Sequence, residues 1–400
     1  MKYIVVLGDG MSDEPLEQLE MQTPLKAAKT PQMDLVVKKS ELGLVHTIPT
    51  GMKPGSDTAN LAVLGYNPRN FYTGRSPLEA LSIGVDMKDT DIAIRCNLVT
   101  LSDDDKPYEE KAILDHSSSE ISTEDARILI EAVRKELENN CYKFYVGTSY
   151  RHLTIWDQGN VVDLAQPHDI LGKIIGVYLP EDTALREMMK RSYDILNNHP
   201  INEDRKAKGL NKANSIWFWG AGTRPALTSF ETKTHKRGAM ISAVDLLKGI
   251  AVGADMKVIE VAGADGTLHT NYEGKAVAAV KVLLEDDYDF VYIHVEAPDE
   301  MGHQGNVANK VKAIEYLDQR VIKIVMEEME KAKANYRMLV MPDHPTPIWC
   351  RTHTSDPVPY LLYDSTKEQK NNWLYNEDEA KLSGNVIKEG YTVIDRLFEL

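Results

Sequence analysis

The chain has 400 residues, 42% of them hydrophobic, so it is long and apolar enough to bury a large core. Its 46 Lys and Arg residues against 61 Asp and Glu residues give a net charge of −15, which argues against nucleic acid and anionic membranes as partners. Three cysteines without C-x-x-C spacing argue against a disulfide framework and predict a reducing, cytoplasmic location. No apolar run approaches the ~18 residues that a membrane-spanning helix needs, and MKYIVVLGDG is better interpreted as a buried strand than as a signal peptide.

The elements in chain order begin with a predicted strand, Tyr3–Leu7, that ends at the turn Gly8-Asp9-Gly10. The middle of the chain has a mixed pattern. A helix is predicted to begin at the box formed by Ser122 and Asp125, and the polar stretch 181–214 is predicted to be a helix end followed by a loop. Strands are predicted at 96–101, 144–146, 153–156 and 215–222. This part of the chain is therefore predicted to be α+β.

The C-terminal third alternates strands and helices. The strands are predicted at 257–261, 290–295 and 338–341, and the helices at 274–284 and 307–333. This alternation predicts right-handed βαβ units on a mostly parallel sheet flanked by helices. The simplest architecture is one α/β domain made of residues 1–80 and 236–400, with a smaller α+β domain inserted at 81–235.

Oxygen and imidazole donors follow several of the predicted strands, where active residues of parallel sheets gather. Asp299 and His303 are four residues apart and would share one face of a helical turn. The complete donor set is Asp9, Ser56, Asp299, His303, Asp343, His344 and His353. These donors suit Zn, Mn or Mg better than a thiolate site would, and seven of them are about right for two catalytic ions.

Each of these residues also has an ordinary structural explanation when it is taken alone. Ser56 is of the type that caps a helix N-terminus, and a D-x-x-x-H sequence is common in surface turns. The acidic residues between Asp13 and Glu20 are predicted to form a solvated face. The sequence has no G-x-x-x-x-G-K-[ST] motif, and GDGMSD does not match a dinucleotide-binding G-x-G-x-x-G.

The order of the motifs resembles that of the archaeal-type cofactor-independent phosphoglycerate mutases, which belong to the alkaline phosphatase superfamily. The motifs are Asp9, PGSDTANLAVLGY, HVEAPDEMGHQGN, PDHPTPI and RTHTSDPVP, and the resemblance extends over nearly the whole chain. It implies an alkaline-phosphatase-like fold and the interconversion of 3-phosphoglycerate and 2-phosphoglycerate, a step of glycolysis and gluconeogenesis. It also implies a phosphoserine intermediate and no need for 2,3-bisphosphoglycerate.

The resemblance also assigns roles to the donor set. Ser56 would be the nucleophile. One ion would be held by Asp9, Ser56, Asp343 and His344, and the other by Asp299, His303 and His353. The two ions would be Mn or Mg, with Zn as a further option.

Residues of the inserted domain would contact the small phosphorylated substrate. His116 resembles the family's histidine near the reacting phosphate, and Arg151 and Arg224 resemble its carboxylate-binding arginines. Lys236 or the neighbouring Arg237 would meet the phosphate.

Three other functions fit parts of the pattern. A phosphatase would need only the metal site and an open cleft. A phosphotransferase on another small alcohol, such as a homoserine kinase-like enzyme, would need a nucleotide site that the sequence does not show. A catalytically inactive metal-binding scaffold would not require Ser56 between Gly55 and Asp57.

Overall fold

The computed structural model describes residues 1–367 and 370–399. The chain divides into two compact units. The first unit consists of Met1–Tyr72 and Ala226–Leu400, and the second unit consists of Thr73–Pro225. All seven donors of the sequence-based metal set therefore belong to the first unit.

The strands in chain order are β1 (Lys2–Gly8), β2 (Ser40–Val45), β3 (Ile92–Leu101), β4 (Ile113–Asp115), β5 (Tyr142–Thr148), β6 (Arg151–Trp156), β7 (Ser215–Thr223), β8 (Gly238–Ile241), β9 (Lys257–Val258), β10 (Phe290–Val295), β11 (Tyr336–Met341), β12 (Val358–Asp364) and β13 (Val386–Ile387).

The helices in chain order are α1 (Pro24–Ala27), α2 (Pro31–Val37), α3 (Ser56–Val63), α4 (Pro68–Phe71), α5 (Arg75–Ser82), α6 (Thr123–Leu137), α7 (Thr183–Leu196), α8 (Pro200–Ala207), α9 (Phe230–Thr234), α10 (Asp245–Gly253), α11 (Tyr272–Leu284), α12 (Ala297–His303), α13 (Val307–Leu317), α14 (Lys323–Lys331), α15 (Glu377–Leu382) and α16 (Val393–Phe398).

The first unit is built on an eight-stranded sheet in the order β13-β2-β12-β11-β1-β10-β8-β9. Its strand pairs are parallel except those of β12, which is antiparallel to both β11 and β2. The apolar residues 4–7 of β1 are fully buried, as expected for a parallel strand covered on both faces. The predicted α/β class with a mostly parallel sheet is confirmed.

The register of the central strands fixes where the functional edge lies. Leu7 of β1 pairs with His294 of β10 and with Met341 of β11. The three strands therefore end at the same level, and the residues that follow them meet at one edge of the sheet.

The helix predicted at 307–333 is present but carries a π-helical turn at Asp318–Ile322, between α13 and α14. The Asp318 carboxylate accepts hydrogen bonds from the backbone N–H groups of Gln32 and Met33, in the first turn of α2. Burial raises the pKa of Asp318 to about 6. A carboxylate here satisfies donors of the α2 N-terminus that have no partner within their own helix.

The second unit is α+β, as the sequence predicts. Its sheet has the order β4-β3-β6-β5, with β7 also paired to β3, and all of these pairs are antiparallel. Helix α6 begins where predicted, because the Ser122 hydroxyl accepts the Asp125 N–H at 3.2 Å. Helix α6 packs on β5, and α7 packs on β7.

The prediction of a helix end and a loop for residues 181–214 is wrong, because this stretch contains α7 and α8. Asp182 caps α7 by accepting the Leu185 N–H. The helix buries Leu185, Met188, Met189 and Leu196. Met188 and Met189 lie three and four residues after Leu185, and Leu196 lies seven residues after Met189, so the four side chains form one apolar face within a polar stretch.

The part of the chain that the structure describes contains no helix that is both long and apolar enough to cross a membrane.

A buried histidine of the second unit predicts a pH-dependent stability. Burial lowers the pKa of His152 to about 3, from an ordinary value of 6.5. Between these values the unfolded chain binds a proton that the folded protein excludes, so the stabilisation is complete above pH 6.5 and is lost as the pH falls, by about 2 kcal/mol at pH 5.

The measurement is urea unfolding of the wild type and of His152→Asn at pH 7.5 and at pH 5. The asparagine keeps an acceptor for the Gly147 N–H, which donates to His152 Nδ1 at 3.1 Å, but does not titrate in this range. We expect a smaller loss of stability in the variant. An equal loss in both proteins would exclude His152 as the cause.

Candidate functional site

The ends of β1, β10 and β11 bring acidic residues together at one edge of the first unit's sheet. Asp9 follows β1 directly, Asp299 lies in α12 just after β10, and Asp343 follows β11. The three residues are between 0% and 6% exposed, so three carboxylates share a buried space.

The first group of candidate ligands is Asp9, Asp343 and His344, which offer one ligand atom each, all within 4.8 Å of one another. The Ser56 hydroxyl oxygen lies 3.0 Å from His344 Nε2. Ser56 is the first residue of α3, and its N-cap is Gly55. Its hydroxyl therefore lies beside the acidic cluster and does not cap the helix.

Three hydrogen bonds fix the orientation of the Asp343 carboxylate. The backbone N–H groups of Gly10 and His344 donate to Oδ1 at 3.1 and 2.9 Å, and the Asn60 amide donates to Oδ2 at 2.8 Å. Asn60 also donates to the Ser56 carbonyl oxygen at 2.8 Å, so it connects the start of α3 to the acidic cluster.

The second group contains the D-x-x-x-H pair. His303 Nε2 lies 3.1 Å from Asp299 Oδ2 and 3.0 Å from His353 Nε2, which confirms that residues 299 and 303 share one helical face. His353 Nε2 lies 3.5 Å from Asp299 Oδ1. Asp299, His344 and His353 also form a group within 4.8 Å, so His344 borders both groups.

Hydrogen bonds outside the second group fix its side chains. His303 Nδ1 lies 2.9 Å from the Arg351 carbonyl oxygen, so Nδ1 carries a proton and Nε2 is the ring nitrogen that faces the cluster. The Thr346 hydroxyl donates to Asp299 Oδ1.

The electrostatics of the cluster favour a cation. Burial, together with the carboxylates of Asp343 and Asp299, raises the pKa of Asp9 well above its usual range. Burial alone would raise the pKa of Asp299 as well, but hydrogen bonds from His303 and His353 hold it well below its usual range. The hydrogen bond to Asp299 raises the pKa of His303 to about 9, whereas burial lowers the pKa of His344.

These residues fit divalent cations. Asp9 Oδ1 is buried and has no hydrogen-bond partner in residues 1–367 and 370–399, and His344 Nε2 lies 3.6 Å from it. Carboxylate, hydroxyl and imidazole donors of this kind hold Mg, Mn or Zn. The chain therefore presents side-chain groups that are spaced and oriented as metal ligands are.

The turn after β1 requires glycine. Gly10 has a φ of +57°, a conformation that other residues adopt with strain. A Cβ atom at this position would lie 2.8 Å from the Asp299 Cα atom. Any side chain here would therefore displace Asp299.

Asp13 is not part of a solvated face, so the prediction for residues 13–20 is wrong at its first member. Its carboxylate is buried and accepts a hydrogen bond from Lys310 Nζ at 2.7 Å. Lys310 Nζ also donates to the carbonyl oxygens of Ser12 and Thr346. One buried ammonium group therefore ties the turn after β1 to the loop after β11.

Replacing Lys310 by methionine is expected to destabilise the protein by about 3–5 kcal/mol, because Asp13 would remain buried without its partner cation. Chemical unfolding of the variant measures this loss. Lys312→Met, at an exposed position on the same helix, is the matched control. If the two variants are equally stable, the buried pair does not stabilise the fold.

The remaining predicted site residues are three residues of the second unit and Lys236 of the first unit. His116, Arg151 and Arg224 belong to the second unit. Lys236 precedes β8, and its Nζ lies 5.6 Å from the centre of the Tyr3 ring, at the amino end of β1. This end is about 20 Å from Asp9 along the strand, so the structure does not bring Lys236 to the cluster.

Sequence reasoning missed three residues that contact the predicted ligands or their loops: Asn60, His294 and Lys310. Asn60 stands within the motif PGSDTANLAVLGY, so its polar side chain in an apolar helix was an available signal. His294 interrupts the apolar strand FVYIHV, which was the corresponding signal there. Lys310 has no such signal, because lysine is ordinary on a helix.

Comparisons with known proteins identify the family to which the chain is similar. The family model described as 2,3-bisphosphoglycerate-independent phosphoglycerate mutase matches residues 37–202. A probable 2,3-bisphosphoglycerate-independent phosphoglycerate mutase of Geobacter sulfurreducens is 46% identical over 100% of both chains. A 2,3-bisphosphoglycerate-independent phosphoglycerate mutase of Methanosarcina barkeri is 47% identical over 95% of both chains.

Solved structures give the same result for the fold. A protein from Pyrococcus horikoshii superposes with a TM-score of 0.82 at 29% identity, over 100% of this chain and 96% of that one. A cofactor-independent phosphoglycerate mutase from Thermoplasma acidophilum superposes with a TM-score of 0.68 at 26% identity, over 100% and 99% of the two chains.

Proposed function

Because the chain belongs to the 2,3-bisphosphoglycerate-independent phosphoglycerate mutase family, we propose that its acidic cluster moves a phosphate between two hydroxyls of glycerate through Ser56. The protein is an isomerase that interconverts 3-phosphoglycerate and 2-phosphoglycerate. The observation that carries the proposed route is the Ser56 hydroxyl, 3.0 Å from His344 Nε2 and beside Asp9 and Asp343.

The proposed route has two balanced transfers. In the first, Ser56 Oγ loses its proton and bonds to phosphorus, while the bond from phosphorus to the glycerate oxygen breaks and that oxygen takes up a proton. In the second, the other glycerate hydroxyl loses its proton and bonds to the same phosphorus, which releases the Ser56 oxygen to be protonated again. No second phosphoryl donor is consumed.

Asp9, Ser56, Asp343 and His344 would hold one divalent ion, and Asp299, His303 and His353 would hold a second, with Mn or Mg as the proposed metals and Zn as a further option. When bound, such ions neutralise phosphate charge and favour the ionised form of a serine hydroxyl. The residues themselves set the geometry, because Asn60 and Gly10 hold Asp343 and the Arg351 carbonyl holds His303.

Substrate binding is proposed for residues of the second unit. Arg151 and Arg224 carry guanidinium groups suited to the glycerate carboxylate, and both residues are exposed. His116 is proposed to accept and return the proton of the reacting glycerate hydroxyl. Its Nδ1 is buried and has no hydrogen-bond partner in the described part of the chain, and its ring meets that of Tyr150 edge-on.

The proposed location is the cytoplasm. Cys96, Cys141 and Cys350 are free thiols, in accordance with a reducing compartment.

The experiment that tests the proposed route is an enolase-coupled assay of 3-phosphoglycerate with added Mn and without 2,3-bisphosphoglycerate or ATP. Inorganic phosphate is measured in the same samples, and ATP-dependent phosphorylation of homoserine is assayed beside them. We expect mutase activity, little phosphate release and no homoserine phosphorylation. An absolute requirement for 2,3-bisphosphoglycerate would refute the proposed route, and phosphate release as the main reaction would identify a phosphatase.

A further inference from the structure

A chain of hydrogen bonds runs through the buried part of the sheet to one candidate ligand. The Ser242 hydroxyl, just after β8, lies 3.1 Å from His294 Nδ1 on β10, and His294 Nε2 lies 2.9 Å from Asp9 Oδ2 after β1. These residues follow or lie on three adjacent strands, and their exposures are 4%, 0% and 2%.

The donor and the acceptor of each of these two hydrogen bonds can be assigned. Ser242 Oγ accepts the Val244 N–H at 3.0 Å, so its own proton is available to His294 Nδ1. A neutral imidazole that accepts at Nδ1 carries its proton on Nε2. The ionised Asp9 carboxylate that a metal ion requires can only accept a hydrogen bond, so His294 donates from Nε2 to Asp9 Oδ2.

This donation distinguishes the two oxygens of Asp9. Oδ2 is occupied by His294, whereas Oδ1 has no hydrogen-bond partner among the described residues and is the oxygen nearer His344. The backbone is fixed as well, because the fully buried Lys275 donates from Nζ to the His294 carbonyl oxygen at 2.9 Å.

We propose that His294 is a positioning residue that, held by Ser242, fixes Asp9 so that only Oδ1 is presented to a divalent cation. The inference rests on the proposed function, since it assumes that Asp9 binds a metal ion there. Hydrogen bonds to ligand side chains generally set their orientation, and removing them typically weakens metal binding about 10–100-fold.

The alternative is that His294 serves packing alone. The chain offers a matched control in His152, a buried histidine of the second unit, where no predicted metal ligand lies. Replacing either residue by leucine removes a buried imidazole, but only the change at residue 294 removes the donor to Asp9.

The experiment is calorimetric titration of the metal-free full chain with Mn²⁺, without substrate, for the wild type and four variants. The variants are His294→Leu, His294→Gln, Ser242→Ala and His152→Leu. Unfolding curves of each metal-free variant are recorded beside the titrations.

We expect His294→Leu to raise the Kd for Mn²⁺ about 10–100-fold and Ser242→Ala to raise it less. His294→Gln should recover most of the affinity, because its amide N–H stands near the position of Nε2. His152→Leu should bind Mn²⁺ as the wild type does, although its unfolding midpoint falls.

An unchanged Kd in folded His294→Leu would overturn the inference. If His294→Leu does not fold, a wild-type Kd for Mn²⁺ in folded Ser242→Ala would overturn it as well. Failure of the proposed function has a different signature, since the wild-type protein would then bind no Mn²⁺ or would not convert 3-phosphoglycerate. Loss of affinity in His294→Leu with wild-type affinity in His152→Leu supports the inference.

Discussion

Replacement of Ser56 by alanine is expected to abolish phosphoglycerate mutase activity while leaving the fold intact. A methyl group can neither accept the phosphate nor contribute an oxygen to a metal ion, and loss of a nucleophile commonly costs on the order of 10³-fold or more in kcat. The Ser56 hydroxyl has one hydrogen-bond contact, to His344 Nε2, among the side-chain contacts that the structure describes, so little stability depends on it. The enolase-coupled assay measures the loss, and unfolding curves check the fold.

Ser40→Ala is the matched control for this change. Ser40 likewise belongs to the first unit, but its hydroxyl donates to the Val36 carbonyl oxygen at 2.8 Å, at the start of β2 and outside the acidic cluster. We expect this variant to retain its activity. If Ser56→Ala keeps the activity of Ser40→Ala, the covalent route is wrong.

Removal of divalent metal is expected to have an effect of similar size. Without cations, the buried carboxylates of Asp9, Asp299 and Asp343 lie close enough to repel one another. Burial and the neighbouring carboxylates raise the pKa of Asp9, so protons compete with a metal ion for this group more strongly than for an ordinary carboxylate. Chelation should therefore abolish activity, added Mn should restore it, and the metal affinity should fall in acid.

The measurement combines elemental analysis, activity before and after chelation, and Mn²⁺ titration at pH 6 and pH 8. Mg and Zn are added back in parallel, because the donor types admit both metals. We expect tighter binding at pH 8, since binding releases protons. Full activity in protein that holds at most one ion per chain would exclude a mechanism that needs two.

The central strands and most candidate ligands could be predicted because their signals are local. The strand at Phe290–Val295 has the predicted bounds, and β1 and β11 are each slightly longer than predicted. Adjacent parallel strands have their carboxyl ends at the same edge of the sheet, so acidic residues that directly follow these strands lie close together regardless of the loop conformations. The proximity of Asp299 and His303 could be predicted from the helical period alone, because residues four apart lie on the same face of a helix.

Other features could not be predicted because they depend on contacts between distant parts of the chain. Asp13 belongs to an acidic stretch of sequence, and only the fold shows that Lys310, almost three hundred residues later, neutralises it. Lys236 was predicted to meet the phosphate, but it precedes β8 and therefore lies at the opposite edge of the sheet from Asp9. The helices within residues 181–214 were not predicted, because the stretch is mostly polar and its apolar residues form only a narrow face of the helix.

The most direct test of the covalent route is to look for phosphate on Ser56. The metal-loaded enzyme is mixed with 3-phosphoglycerate, quenched in acid within the first turnovers and digested, and the peptide that contains Ser56 is analysed by mass spectrometry. A covalent route through Ser56 predicts a fraction of this peptide that carries one phosphate on Ser56, and this fraction disappears when the metal is chelated before mixing. Rapid turnover with phosphate on another residue, or with release of inorganic phosphate and no modified Ser56 at any quench time, would contradict it.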